Sequence, residues 1–359
     1  PFMSIIPLRY AVIGAGNISA THLSAIATQP NVELVGISDP VDTARWRPLG
    51  EYETAPKFND PEKMLSETKP DLVSICTPNK FHAALSILAL KHGANVACEK
   101  PMAMTLAEAE AMEAARAAAD KLGSINFSYR NLAAFRFARE LIASGDLGKL
   151  LRVQCVYLQS FLGAPATPYS WRNDVSIAGF GALGDLGIHM IDGVRFVTGL
   201  DYKRVVGTAQ TLVLEKADAK GTMHKVTTDT NAAWLSELDG GVVSTFETSQ
   251  IAPGFGNFFR IEISGDRGTL AIRSDSPEDI WLFAGASMTR YATWITDLPQ
   301  QKIPTAFVSD CKPITPGGIA QVMRGKQVDF PTFADGVHAQ RMLSAIGVSM
   351  QTNAWQTLG

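Results

Sequence analysis

No stretch of this sequence is apolar for the roughly 18–20 residues that a membrane-spanning helix requires, so a bilayer-embedded protein is not expected. No block of five like charges occurs, and the formal net charge is only −3. A basic face for nucleic acid and a charged interaction tail are therefore both unsupported. Cysteine is scarce. The four cysteines, Cys76, Cys98, Cys155 and Cys311, stand far apart and form no C-x-x-C pair, which argues against zinc-type spacing and a disulfide framework. Cys76 and Cys98 fall in apolar strand-like runs, where a small buried thiol is the plain reading, and a reducing cytoplasm is the expected compartment. The first residues, Pro1-Phe2-Met3-Ser4-Ile5-Ile6-Pro7, lack the basic start and long apolar run of a signal peptide. Internal repeats and low-complexity linkers are also missing.

What remains is globular material for two packed cores: 359 residues, 46% hydrophobic and 19% charged, at roughly 100–200 residues per domain. Short apolar runs at Arg9–Ile13, Glu33–Ser38, Asp71–Cys76, Asn95–Cys98 and Ser124–Phe127 read as strands. Helical patterns at Ile18–Thr28, Phe81–Lys91 and Leu106–Leu122 lie between them. Thr105-Leu106-Ala107-Glu108 has the form of a capping box that opens the last of these helices. Such alternation predicts a parallel sheet covered by helices on both faces. After about residue 130 the pattern changes. Leu132–Ala143 and Gly184–Val197 read as helices and Leu150–Gln159 as an extended run. Strand candidates then follow without helices between them: Val205–Leu214, Val226–Ser236, Val242–Ser249, Phe258–Ser264 and Thr269–Arg273. Gly240-Gly241 and Gly265-Asp266-Arg267-Gly268 supply turns. This predicts an α+β region with a mostly antiparallel sheet, closed by a helix over Phe333–Thr352.

Gly14-Ala15-Gly16-Asn17-Ile18-Ser19 follows the first strand and opens a helix. Gly14 permits the tight turn, Gly16 lets a pyrophosphate approach the backbone, and the helix N-terminus offers free amides. Ser19 stands where the third glycine of a G-x-G-x-x-G fingerprint would be, and its small side chain suits close helix–strand packing. Asp39 ends the second strand, 23 residues past Gly16. A carboxylate there accepts ribose hydroxyls and repels a 2′-phosphate, which favours NAD over NADP; Arg45 could offset that preference by folding back. Thr77-Pro78-Asn79 sits at the carboxyl end of the third strand, where ligands bind in open parallel sheets, and Asn79 is placed to cap the helix that holds His82.

Glu99-Lys100-Pro101 follows the strand that ends at Cys98. An ammonium at the carboxyl edge of such a sheet can hold a substrate hydroxyl and stabilise a developing alkoxide, although a Lys-Pro pair alone is commonly a surface turn. Asp185 and His189 are spaced i,i+4 after a run of glycines, which on a helix puts them on one face. Three readings of that pair stay open: an imidazole that takes an alcohol proton beside a substrate-binding carboxylate, two ligands of a metal ion that lacks an evident third, or a histidine with no chemistry. Asp192 is a candidate supporting partner. Arg172 of Trp171-Arg172 either reaches the cofactor or an anionic substrate group, or the pair anchors an interface.

In order and spacing these segments resemble the Gfo/Idh/MocA family, the group of glucose–fructose oxidoreductase, inositol dehydrogenase and rhizopine catabolism. The resemblance rests on Gly14–His22, Thr77-Pro78-Asn79 with His82, Cys98-Glu99-Lys100-Pro101, Trp171-Arg172, Gly181–His189 and Pro331-Thr332-Phe333-Ala334-Asp335-Gly336. It implies an α/β chain: a Rossmann domain over 1–130, then an α+β domain over 131–359 with a large open sheet, the helix 333–352 packing near the first domain. It also implies that Lys100 is the key catalytic lysine, His189 the acid/base and Asp185 the substrate-positioning residue. Glu99 and Pro101 shape the nicotinamide pocket, and no metal is used. Gly14, Gly16, Asn17, Ile18, Asp39, Thr77, Pro78, Asn79, His82, Glu99, Lys100, Trp171 and Arg172 are then the expected cofactor contacts. The expected reaction is hydride transfer between NAD(P) and a secondary alcohol or ketone of a sugar, polyol or inositol-like substrate, in a homodimer or homotetramer built through the sheet. An NAD-dependent glycosidase of the same fold and a non-catalytic dinucleotide or sugar sensor are the alternatives; sensors of this kind usually lose the lysine or histidine kept here.

Overall fold

The computed structural model describes residues 6–41, 54–284, 300–303 and 316–358. Arg45 and Cys311 lie outside the described residues. The chain forms two compact units, Pro1–Ser128 with Pro313–Gln340, and Tyr129–Lys312 with Arg341–Gly359. The parallel-sheet unit thus takes in a second, later stretch of chain as well as the N-terminal one.

In the first unit, β1 (Leu8–Ile13), β2 (Val32–Ser38), β3 (Lys57–Phe58), β4 (Leu72–Ile75), β5 (Asn95–Cys98) and β6 (Gly123–Ile125) form one sheet in the order β3-β2-β1-β4-β5-β6. Every pair in it is parallel. The helices α1 (Ser19–Ala27), α2 (Pro61–Thr68), α3 (His82–Lys91) and α4 (Leu106–Ala119) make the crossovers. β4 and β5 are buried at all four positions, as strands covered on both faces must be, and this is why they read as continuous apolar runs. Thr105 and Glu108 form the predicted capping box. α2 had no counterpart in the sequence reading, although Asp60 caps it with Pro61 in its first turn, a recognisable start signal. Asn79 does not cap the helix of His82. It lies in a single 3₁₀ turn, Asn79–Phe81, and the cap position falls to Phe81, which gives no side-chain bond. The core gathers Leu8, Tyr10, Val12, Leu23, Ile26 and Leu72 with Ile319 and Ala320 of the later stretch. Phe333, at the start of the helix Phe333–Thr352, is fully buried against Gly123 of β6, where a Cβ would stand 2.7 Å from its ring.

The second unit carries α5 (Ala133–Ala143), β7 (Leu150–Gln159), α6 (Val175–Ala178), α7 (Ile188–Thr198) and β8 (Tyr202–Gln210). A hairpin of β9 (Glu215–Ala217) and β10 (Met223–Lys225) follows. Then come β11 (Asn231–Leu238), β12 (Val243–Ser249), β13 (Asn257–Gly265), β14 (Gly268–Arg273), β15 (Asp279–Ala284), β16 (Gln300–Lys302) and β17 (Gln356–Thr357). Nine strands make a sheet in the order β16-β15-β14-β13-β7-β12-β11-β8-β17. All its pairs are antiparallel except β12 with β7. Two expected strands were too long: the run from Val205 ends at Gln210, and the run from Val226 gives way to a strand that starts at Asn231. Burial alternates along β11, with Ala232, Trp234, Ser236 and Leu238 inward, the signature of a sheet packed on one face. α7 covers that face. Its Gly193 lets Phe135, Phe259 and Ile261 approach. The other face shows Leu235 and Val243 to solvent beside charged pairs such as Arg204 with Glu237. Among the described residues no helix is long and apolar enough to cross a membrane.

Candidate active site

Strand order reverses between β1 and β4, and the loops that leave the carboxyl ends there are the ones singled out from the sequence. Gly14 has φ +96°, and a Cβ on it would stand 2.7 Å from the backbone of Cys76. The loop can therefore close onto the end of β4 only with glycine in that place. Gly16 is different: a Cβ there would meet nothing within 4 Å, so its surroundings leave room for a ligand. Asn17 is exposed and Ile18 half-buried. The first turn of α1 has no side-chain cap and no acidic residue, so its amide end is suited to an anion. Ser19 turns inward, its hydroxyl donating to Gly16 O at 2.7 Å, the compact packing expected of a glycine substitute. Asp39 accepts from the Ala15 amide at 2.8 Å through Oδ2 and from the Val41 amide at 2.9 Å through Oδ1. Among the described residues one lone pair on each oxygen holds the loop, and a carboxylate oxygen can accept a second bond from a ribose hydroxyl. Thr77 Oγ1 is buried and has no hydrogen-bond partner among the described residues, a donor and acceptor waiting at the carboxyl end of β4. The open cradle at Gly16, the uncapped amides and the Thr77 hydroxyl together fit a dinucleotide.

Lys100 is half-buried directly after Glu99, beyond the end of β5, and the Lys100–Pro101 bond is cis. Its neighbours are both held. Glu99 is buried; its Oε1 accepts from His22 Nε2 at 2.8 Å and Asn126 Nδ2 at 2.5 Å, and its Oε2 from the Lys100 amide at 3.2 Å. Burial pushes this carboxyl up, but the His22 hydrogen bond and charge, the Lys100 charge and the Asn126 bond outweigh it and hold the group down at about 2. Pro101 O faces His82 Nδ1 at 2.8 Å, and Thr77 O faces His82 Nε2 at 2.9 Å. The His82 ring is fully buried and both its nitrogens address backbone carbonyls. It braces the loops of Thr77 and Pro101 and presents no free edge to a cofactor. Burial lowers its pKa, against the pull of the two carbonyls and Glu99. Cys76 and Cys98 are buried thiols, with burial the main cause raising both.

In the second unit, Leu183–Gly187 is wound as a π-helix that runs into α7. The step from Asp185 to His189 therefore begins on a wider turn than the one-face α spacing read from the sequence. Asp229 builds the start of this segment. Its carboxylate accepts from the amides of Gly181 at 2.6 Å and Leu183 at 2.8 Å, and its backbone carbonyl from Ala182 at 2.9 Å. Gly181 cannot carry a side chain, because a Cβ would fall 1.8 Å from Asp229 O. Asp185 accepts from Gln250 Nε2 at 3.2 Å. His189 is buried, edge-on to Tyr129 with centroids 5.1 Å apart, and 6.4 Å from the Tyr157 ring. Tyr129, Tyr157 and Asn257 close a cycle of hydrogen bonds. The two hydroxyls lie 2.7 Å apart, Tyr157 donates to Asn257 Oδ1 at 2.8 Å, and Asn257 Nδ2 donates to the Tyr129 hydroxyl at 3.1 Å. Gln159 Nε2 adds a donor to Asn257 Oδ1 at 2.8 Å. Burial raises both tyrosines, with the charge of Asp185 adding to it, so they stay neutral. An imidazole walled by neutral rings, near a carboxylate and a set of amides and hydroxyls, can take up a proton and bind hydroxyl groups.

Asp192 is buried against Arg130, at 2.9 Å and 2.5 Å from the guanidinium. Arg172 is exposed, its guanidinium 4.4 Å over the Trp171 ring. Among the described residues no group of three or more His, Cys, Asp and Glu is gathered for a metal ion. His22, Asp229, Tyr129, Tyr157, Asn257 and Gln250 had no role in the sequence reading. Only His22 had a cue, since it sits inside the Gly14–His22 segment.

A doubly wound parallel sheet with a glycine loop at its switch point, joined in one chain to an open-sheet unit, defines a nicotinamide-dependent oxidoreductase. Residues 8–127 match the model of an oxidoreductase family with an NAD-binding Rossmann fold, and residues 135–271 match the GFO/IDH/MocA C-terminal domain. The chain is 30% identical over 294 residues to levoglucosan dehydrogenase of Pseudarthrobacter phenanthrenivorans, covering 76% of this chain and 75% of that one. It is 27% identical over 349 residues to glucose-6-phosphate 3-dehydrogenase of Bacillus subtilis, covering 93% and 94%. A solved structure of levoglucosan dehydrogenase in complex with NADH and L-sorbose matches with a TM-score of 0.89 at 25% identity, over 99% of this chain and 100% of that chain. The chain belongs to the Gfo/Idh/MocA family of NAD-binding oxidoreductases. It is an enzyme, a dehydrogenase that acts on CH–OH groups.

Proposed function

We propose that this enzyme oxidises a ring secondary alcohol of a sugar, or of a related cyclic polyol, and reduces the corresponding ketone in the reverse direction. The observation that carries the reading is Lys100, an ammonium after the carboxyl end of β5 with Glu99 and Pro101 fixed on either side of it. The nicotinamide, when bound, supplies the hydride acceptor. Gly14, Gly16, Asn17 and Ile18 with the first turn of α1 hold the pyrophosphate, Thr77, Pro78 and Asn79 line the same edge, and Asp39 selects NAD through the ribose hydroxyls. Lys100 donates to the reacting oxygen and stabilises its developing negative charge. His189 takes the hydroxyl proton, and Asp185 accepts from a neighbouring hydroxyl. The amides and hydroxyls near Asp185 suit a substrate rich in hydroxyl groups, and the relatives named for levoglucosan and a glucose phosphate support a pyranose ring. The exposed apolar residues Leu235 and Val243 on the open sheet face support assembly into a homo-oligomer, which sedimentation would measure.

The test is a panel of pyranoses, anhydro sugars, inositols and their keto forms with NAD and with NADP, followed by the absorbance of reduced nicotinamide. Turnover with NAD on a ring alcohol is expected, falling about 100–1000-fold in Lys100→Met. No turnover across the panel, or full activity of Lys100→Met on a hit, overturns the reading. Glycoside cleavage without net reduction of nicotinamide would also overturn it.

A further inference from the structure

Glu99 is the end of a buried run of side chains. The Tyr10 hydroxyl donates to Ser74 Oγ at 2.7 Å, Ser74 Oγ faces His22 Nδ1 at 2.9 Å, and His22 Nε2 faces Glu99 Oε1 at 2.8 Å. Tyr10, Ser74 and His22 have no exposure at all, and Glu99 is 6% exposed. With a neutral His22 ring the run has one sense. Tyr10 gives its proton to Ser74, Ser74 gives its own to Nδ1, and the ring carries its proton on Nε2 and gives it to the carboxylate. Tyr10 lies fully buried in the core; what the run does is fix the direction from which Glu99 is held.

The positions of its members matter more than its length. His22 lies on α1, one turn after Ser19 and the glycine loop. Glu99 immediately precedes Lys100 and accepts the Lys100 amide. The charged and titratable groups that face Glu99 are His22 from α1, His82 from α3, Cys76 after β4, Cys98 from β5 and Lys100 itself. The two thiols are kept neutral by burial. His22 is the member of this set that donates directly to the carboxylate from the helix the dinucleotide would load.

We infer that His22 is a positioning residue for Lys100: through Glu99 it ties the lysine's backbone to the helix that follows the glycine loop, so that the ammonium takes its place from the cofactor-binding segment. This rests on the role proposed above for Lys100. A buried carboxylate that loses its donor protonates more readily and no longer holds the Lys100 amide in the same way. A displacement of about 1 Å at a reacting group costs on the order of 100-fold in rate.

Two polar substitutions separate this role from mere packing. His22→Gln places an amide nitrogen where Nε2 stood and keeps the bond to Glu99 while losing Ser74. His22→Asn places the amide group where Nδ1 stood, its oxygen accepting from Ser74, and loses Glu99. On the substrate found in the panel, His22→Asn is expected to lose about 100-fold in kcat, with its substrate KM little changed and the acid limb of its kcat–pH profile moved upward. His22→Gln is expected to stay near wild type in both. Labelling of Lys100 by acetic anhydride against pH, read by peptide mass spectrometry, makes the same comparison without turnover: His22→Asn shifts the profile and His22→Gln does not. Equal behaviour of the two variants, or greater damage in His22→Gln, overturns the inference. Lys100→Met separates this failure from that of the proposed reaction. If Lys100→Met loses activity while His22→Asn keeps the wild-type rate, pH limb and labelling profile, the inference alone fails; if Lys100→Met keeps full activity, the reaction assigned to Lys100 fails with it.

Discussion

The surroundings of Lys100 and those of His189 hold their polar groups by different means. Beside Lys100, a carboxylate with 6% exposure is kept ionised by a histidine, an amide and an ammonium. Around His189, the neighbours are neutral rings, and the hydroxyls of Tyr129 and Tyr157 are tied to Asn257 in a closed cycle. The contrast suits the two tasks assigned here. A group that must stay charged gains from a fixed counter-charge, because the ion is then stabilised in place. A group that must gain and lose a proton gains from a ring held in place by its neighbours. Held charges are also costly to break, whereas a neutral hydroxyl cycle loses about a hydrogen bond's worth when one member goes.

The largest effect expected from breaking the comparison is at His189. His189→Ala should lower kcat by about 100- to 10000-fold, the range for a general acid–base residue, with the thermal midpoint close to wild type, and added imidazole should restore part of the rate. Retained activity would remove the functional half of the contrast. The next effect is on stability and depends on pH. The Glu99 carboxyl is held at about 2, below its ordinary 4.5. Its contribution is therefore fully present above about 4.5 and is lost as pH falls towards 2. That difference corresponds to roughly 3 kcal/mol. The gap in thermal midpoint between wild type and Glu99→Gln should be widest above pH ~4.5 and close as pH falls towards ~2; a gap that ignores pH would mean that the carboxylate is not held as an ion. The smallest effect belongs to Tyr157→Phe, which opens the hydroxyl cycle. It should cost about 1–2 kcal/mol in chemical denaturation, for a bond lost and a partner left short, and the cost should be the same from pH ~5 to ~8 because no member titrates there. A pH-dependent cost would place a charge in that cycle.

The parallel sheet was legible in the sequence because its strands are buried on both faces and its loops carry glycine, aspartate and proline at fixed places. The start of α4 was legible to the residue through Thr105 and Glu108. The edges of the long sheet were less legible: β15 and β16 carry few of the turn signals that mark Gly265–Gly268. Asp185, His189 and Lys100 could be picked out by residue type and spacing, but not their partners. His22 and Glu99 are 77 residues apart, and Arg130 and Asp192 are 62 apart. No local pattern encodes a pairing over such distances, so the contact of Asp192 with Arg130 was not foreseen. The aromatic wall of His189 was hidden for the same reason, since Tyr129 and Tyr157 read as ordinary apolar positions.

The π-wound segment Leu183–Gly187 has a consequence for inheritance. A π turn packs an additional residue into a helix without disturbing the helix on either side. Lineages of this fold can therefore gain or lose a single residue here while α7 and the glycine run before it stay put. A deletion of one residue between Asp185 and His189 would then re-aim Asp185 relative to the histidine.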